Sequence, residues 1–250
     1  MTDARVALVT GATSGIGIVI AEQLRERGLR VAVTGRSAER GREVERRLGP
    51  GARFLRADLT ETGAAAEVVA RTVAEFGRLD VAVNNAAIDH TNELLEVGEE
   101  EIRRTFETNT FAAMNLLIAA ARQMREQGDG GSIVNVTSRL ASIGVPTMGV
   151  YSASKGAMLA FTKAAAIDLA PHDIRVNAVA PGMTRTPLYQ EWLDGLPDPE
   201  GEARRVAEAI PLGRIAEPAD VAAVVAFLAS PEAAYLTGVS IPVEGGYLAK

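Results

Sequence analysis

The chain has 250 residues with 26 Lys and Arg against 32 Asp and Glu, a formal net charge of −6, and so offers no basic footprint for nucleic acid or an anionic membrane. It has no cysteine, which excludes disulfides and thiolate chemistry, and its two histidines, His90 and His172, stand in no metal-ligand spacing, so no metal site is expected. A hydrophobic fraction of 47% suffices for one well-buried α/β core, and no Pro/Gly/Ser-rich stretch or charge block marks a linker, so a single domain over 1–250 is expected.

The first strand falls at 6–10, where Val-Ala-Leu-Val suits a strand buried on both faces of a parallel sheet. No apolar segment precedes it, which predicts a cytoplasmic protein. Gly11, Ser14, Gly15, Ile16 and Gly17 follow, ahead of a helix near 16–27. Glycines there let the chain turn tightly against a pyrophosphate, and the helix N-terminus offers N–H groups and partial positive charge to the phosphates. A second strand, 30–35, ends on Gly35 and is followed by Arg36. An acidic side chain at that edge would bond ribose hydroxyls, whereas a guanidinium forks around a 2′-phosphate, so the pair favours NADP(H) over NAD(H). In the next helix, 38–48, arginines interleave with Glu39, Glu43 and Glu45, the pattern of a solvated face.

Strands at 53–56, 79–83 and 132–136 then alternate with helices near 64–76 and 99–127. The apolar stretch 111–121 within the latter is too short to span a bilayer and contains Asn115. Beyond 132–136 comes Ser138, whose hydroxyl would project from the carboxyl edge of the sheet, where doubly wound folds bind ligands; a cap or turn serine is the alternative. A helix near 150–170 opens with Tyr151 and Lys155, whose spacing of four sets phenol and ammonium on one face. A cation beside a phenol favours phenolate and lowers its pKa from about 10 toward neutral, as a proton donor to a carbonyl oxygen requires. The plainer reading is a ring packed on a lysine stem.

After a strand at 175–180, the segment 183–212 breaks the rhythm with Pro187, Pro197, Pro199 and Pro211. Its apolar members Leu188, Tyr189, Trp192 and Leu193 predict a mobile lid over a substrate pocket, although they could equally pack on the body or on a neighbouring subunit. Leu140, Leu188, Tyr189 and Trp192 are the expected pocket residues. A helix near 218–229 and a strand at 239–243 complete a doubly wound, Rossmann-like α/β fold with a mostly parallel, roughly seven-stranded sheet and helices on both faces.

The glycine turn spaced Gly-x-x-x-Gly-x-Gly after Thr10, Asp58-Leu59, Asn84-Asn85-Ala86, Asn109, Ser138, the Tyr151/Lys155 pair, Asn177, Pro181-Gly182 and the terminal Val-Glu-Gly-Gly resemble the short-chain dehydrogenase/reductase family across essentially the whole chain. The resemblance implies an oxidoreductase moving hydride between a nicotinamide cofactor and a small carbonyl or secondary alcohol. In it Tyr151 is the general acid/base, and Lys155 binds the nicotinamide ribose and tunes the tyrosine. Ser138 orients the substrate oxygen and Asn109 holds a proton-relay water. Asp58 and Leu59 flank the adenine, Asn85 lies in the loop beside the cofactor, and Pro181, Gly182, Thr184 and Thr186 belong to the segment that closes over the carboxamide. It also implies a homotetramer, or a homodimer, packed through the helices near 99–127 and 150–170. Two family glycines are alanine here, Ala87 and Ala112, without loss of any functional side chain. The other readings are an NAD-using member of the family, or a silent cofactor-sensing regulator, which would have no need of all four catalytic-type side chains. An epimerase or dehydratase of the extended family would carry a longer C-terminal substrate domain, and a hydrolase would need a Gly-x-Ser-x-Gly elbow.

Overall fold

The computed structural model describes residues 4–250. Seven strands, β1 Val6–Thr10, β2 Arg30–Gly35, β3 Ala52–Arg56, β4 Val81–Asn84, β5 Gly131–Val136, β6 Ile174–Pro181 and β7 Ser240–Val243, form one sheet in the order β3-β2-β1-β4-β5-β6-β7. Every neighbouring pair is parallel. The fold class is thus the one expected, with strand ends displaced by one or two residues.

The inner strands are buried almost throughout, and successive side chains alternate between the two faces of the sheet. Ala7, Val9, Val31, Val33, Val81 and Val83 pack into one core, beneath α1 Gly15–Glu26, α2 Ala38–Leu48 and α9 Pro218–Leu228. Val6, Leu8, Ala32, Ala82 and Ile133 pack into the other, under α3 Ala64–Phe76, α5 Ala112–Gln127 and α6 Gly149–Leu169. This period of two, apolar on both faces, is what a parallel sheet covered on both sides demands.

Two expectations need correction. The helix foreseen over 99–127 is α4 Glu99–Phe106 and α5, joined by one wide π-helical turn, Glu107–Phe111. Hydrophobic spacing reports an average pitch, and one wide turn hardly disturbs it. Second, the segment 183–212 holds two helices of its own, α7 Pro187–Asp194 and α8 Pro199–Glu208. Pro187 and Pro199, taken as interruptions, sit in the first turns of these helices, where proline lacks no needed N–H. Tyr189 and Leu193 are buried with Ile210 and Ile215 in a third, separate apolar cluster. Among the described residues no helix is long and apolar enough to cross a membrane.

Because β1 pairs with β2 on one side and β4 on the other, chain connections leave the β1/β4 edge in opposite directions. A crevice opens there at the carboxyl ends of the strands, the place where doubly wound sheets bind ligands.

Candidate active site

A cavity of about 610 Å³ runs along that edge, from the end of β2 to the inner side of α7. Its centre is the turn from β1 into α1. Gly11 and Gly15 hold φ of +62° and +56°, conformations a Cβ would strain. Ser14 occupies the N-cap of α1 in extended conformation without turning its hydroxyl onto the first helical turn. Ser14, Gly15 and Ile16 line the cavity, so the positive end of the helix faces it. Gly17 does not line it; a Cβ there would lie 2.5 Å from the Asn85 amide nitrogen, so this glycine serves the close approach of the neighbouring loop.

That approach is secured by hydrogen bonds. The Thr10 hydroxyl accepts from the Asn85 and Ala86 amides at 3.0 and 3.1 Å. The Asn85 carboxamide donates to the carbonyls of Thr10 (2.9 Å) and Gly11 (3.2 Å). Its donors therefore brace the turn, while Asn85, Ala86 and Ala87 still form cavity wall.

At one end of the cavity stand Gly35, Arg36, Asp58 and Leu59 as expected, joined by Arg40, which sequence reasoning had placed on a solvated helix face. Ser37 caps α2 by accepting from the Arg40 amide, bringing the first turn of that helix to the rim. Neither arginine forms a salt bridge among the described residues. Asp58 accepts from the amide and hydroxyl of Thr60, at 3.1 and 2.7 Å, and these bonds with Arg36 nearby hold its carboxyl below the usual range. A Cβ on Gly35 would lie 2.7 Å from Thr13 Cγ2. An acidic side chain at that position would have to displace Thr13.

At the other end β5 delivers Ser138 and α6 delivers Tyr151 and Lys155. Ser138 is buried; its hydroxyl accepts from the Leu140 amide at 3.1 Å and lies close enough to the Tyr151 phenol to favour its ionised form. Lys155 is buried too, donates to the Val136 carbonyl at 3.0 Å and lies 5.8 Å from the centre of the Tyr151 ring. Burial lowers its pKa to about 8. Burial also raises the Tyr151 phenol above its usual value, Asp89 adds to the rise, and Ser138 opposes it. The expected pull of Lys155 toward neutral is thus not seen: the phenol is shifted upward, chiefly by loss of hydration.

Asn109 occupies the wide turn between α4 and α5, fully buried and off the cavity wall. Its carboxamide accepts from the Ile88 amide (2.8 Å) and donates to the Ile88 carbonyl (2.9 Å) and the Ser154 hydroxyl (3.2 Å). The side chain clamps the loop after β4 to α6.

Pro181, Gly182, Thr184 and Thr186 line the cavity beyond β6, and Thr186 caps α7 by accepting from the Tyr189 amide. Leu140, Leu188, Tyr189 and Trp192 close the far end. Tyr189 is 4% exposed and belongs mostly to the small core under α7, so it supplies packing more than open pocket wall.

A buried polar ladder beneath the site was not foreseen. Asn84 donates to Asn135 (2.9 Å), and Asn135 donates to Thr162 (2.8 Å), tying β4, β5 and α6. The signal was present: Asn135 interrupts the apolar run Ile-Val-Asn-Val, and a polar group buried in a strand needs a partner.

A family model described as Enoyl-(Acyl carrier protein) reductase matches residues 11–248. The NADP-dependent (R)-specific alcohol dehydrogenase of Lentilactobacillus kefiri is 35% identical over 100% of both chains. A solved short chain dehydrogenase/reductase family protein is 38% identical with a TM-score of 0.87, over 99% of this chain and 100% of its own. A variant of the actinorhodin polyketide ketoreductase, solved with NADPH, superposes with a TM-score of 0.93 at 35% identity, over 99% of this chain and 98% of its own. With its sheet order, glycine turn and end-to-end likeness to these proteins, the chain belongs to the short-chain dehydrogenase/reductase family of oxidoreductases.

Proposed function

We propose that the protein reduces a carbonyl group, or oxidises the matching secondary alcohol, with NADP(H), using Tyr151 as general acid/base. The observation that carries this reading is that one cavity brings these groups together. One continuous wall holds the glycine turn, the Arg36/Arg40 rim, and the Ser138, Tyr151 and Lys155 side chains. A dinucleotide fits the residues present: the open first turn of α1 suits a pyrophosphate, the two rim arginines a 2′-phosphate, and Lys155 with the 181–186 segment the nicotinamide end. Thr13, filling the space beside Gly35, supports NADP over NAD because it occupies the room an acidic ribose ligand would need. Bound nicotinamide would supply the hydride, or accept it, at the substrate carbon.

The protein supplies the proton. With its pKa raised, Tyr151 holds its hydrogen at neutral pH and can give it to a carbonyl oxygen. Ser138, on the same cavity wall as Tyr151, can donate to the same oxygen and set its position. Lys155 stays largely cationic below its pKa of about 8 and favours the phenolate that the transfer leaves behind. Asn109 contributes by holding Ile88 and its loop in place.

The segment 183–212 serves as the lid, and its separate core lets it move as a unit over an apolar pocket end. Ile102, Phe111, Ile118 and Ile167 remain exposed on α4 to α6, which supports self-association through these helices, as a homotetramer or at least a homodimer. Sedimentation at two concentrations checks that assembly; a strictly monomeric chain would rule it out.

Tyr151→Phe tests the chemistry. It deletes one hydroxyl, so the fold and NADPH binding should persist while kcat falls by roughly 10²–10⁴-fold. Near wild-type turnover in the folded variant would reject the assignment.

A further inference from the structure

The carbonyl-reducing reading leaves open what else the substrate carries, and one side chain on the cavity wall bears on it. Asp89 lines the substrate end of the cavity. Of the acidic residues along the wall, Asp58 belongs to the far end and is satisfied by Thr60, so Asp89 is the one carboxylate near the reacting groups. One of its oxygens accepts from the next amide, His90, at 2.8 Å, and among the described residues the other has no hydrogen-bond donor.

Among the described residues no cation forms an ion pair with it. The His90 ring turns to Glu101, 3.2 Å away. Arg139, the nearest cation in sequence to Ser138, lays its guanidinium 3.9 Å from the centre of the Tyr247 ring. Lys155 donates to Val136. Arg36 and Arg40 stand at the opposite end of the cavity. The backbone that carries it is tethered on both sides: Asn109 grips both backbone groups of Ile88, and the His90 ring is hydrogen-bonded to Glu101. Its charge is felt at the Tyr151 phenol, which puts it within electrostatic range of the reacting oxygen.

Asp89 is exposed to the cavity and shares its wall with the apolar Leu188 and Trp192, so its free oxygen offers an acceptor to a molecule bound there. We propose that Asp89 determines specificity, selecting carbonyl substrates that carry a hydrogen-bond donor, hydroxyl or ammonium, beside an apolar body, and turning away those that carry a carboxylate. Charge-assisted hydrogen bonds are the strong ones, and a like charge facing Asp89 would be repelled.

The inference rests on the proposed carbonyl reduction, and four methyl ketones of matched length separate the two: one unsubstituted, the others ending in a hydroxyl, an ammonium or a carboxylate. Steady-state kcat/KM is measured with NADPH for wild type and Asp89→Asn. In wild type a donor-bearing ketone should exceed the unsubstituted one by about tenfold, with the carboxylate ketone slowest. Whether the hydroxyl or the ammonium form leads identifies the donor class. Relative to the unsubstituted ketone measured in the same variant, Asp89→Asn should erase the ammonium advantage and raise the carboxylate ketone by about tenfold. Equal rates across the panel in wild type, or unchanged ratios in Asp89→Asn, overturn the assignment while turnover of the unsubstituted ketone leaves carbonyl reduction standing. No turnover of any of the four rejects both.

Discussion

Lys155 offers the sharpest physical test, because function and stability pull its charge in opposite directions. It is 4% exposed, and burial lowers its pKa from the usual 10.5 to about 8. A drop of that size corresponds to roughly 3 kcal/mol of penalty for keeping the ammonium inside. Below pH 8 the group is charged in both folded and unfolded chains, so the full penalty stands. Between about 8 and 10.5 the folded protein releases the proton first, the unfolded chain binds more protons, and stability from this group rises with pH. Lys155→Met removes the penalty but leaves the Val136 carbonyl without its donor, a cost of about 1–3 kcal/mol. The two nearly cancel at pH 7, where the variant should match or modestly exceed wild type. Its advantage should then fall by roughly 2 kcal/mol by pH 9.5, as only wild type gains from deprotonation. Urea unfolding of both proteins without cofactor, at one protein concentration and both pH values, reads this directly. Every other titrating group cancels in the comparison. A difference that stays constant with pH would refute the burial-driven shift, whatever its sign at neutrality.

Two further outcomes bear on the cofactor and the lid. Arg36→Ala should weaken NADPH binding by about 1.5–3 kcal/mol while NADH binding barely changes, and titrations giving the same NADPH/NADH ratio in both proteins would remove Arg36 as the discriminator. Trp192, the only tryptophan, lines the cavity with its ring 5.7 Å from that of Tyr189, so its fluorescence should respond to NADPH plus a ketone, and Trp192→Ala should disturb kcat and KM together. An unchanged signal alongside intact constants would leave the lid without support.

Short continuous apolar runs and strand–helix alternation made the sheet readable from residue order, since Val6 through Val9 suits a strand covered on both faces. The glycine turn was legible for a similar reason: at Gly11 and Gly15 backbone geometry excludes most other residues. What stayed hidden depended on partners far along the chain. Nothing near Asn109 shows that its carboxamide closes on Ile88, and nothing near Asn85 shows that its amide braces the turn. Arg40 looked like one more solvated arginine because its place at the rim comes from the Ser37 cap, not from its neighbours in sequence. The Tyr151 expectation failed on electrostatics: spacing reports that Lys155 is near but says nothing of how much water both side chains lose.

The third apolar cluster has a consequence for how such a protein can change. Tyr189, Leu193, Ile210 and Ile215 share no buried member with the two cores that hold the sheet. Mutations that reshape α7 and α8 would spend the stability of a small satellite core while leaving the sheet and the Ser138/Tyr151/Lys155 group in register. Substrate range can then drift, or be engineered, within 183–212 at little risk to folding. A library confined to the exposed faces of α7 and α8 should retain far more folded members than one of equal size in β4 or β5, where Asn84 and Asn135 bind the scaffold together.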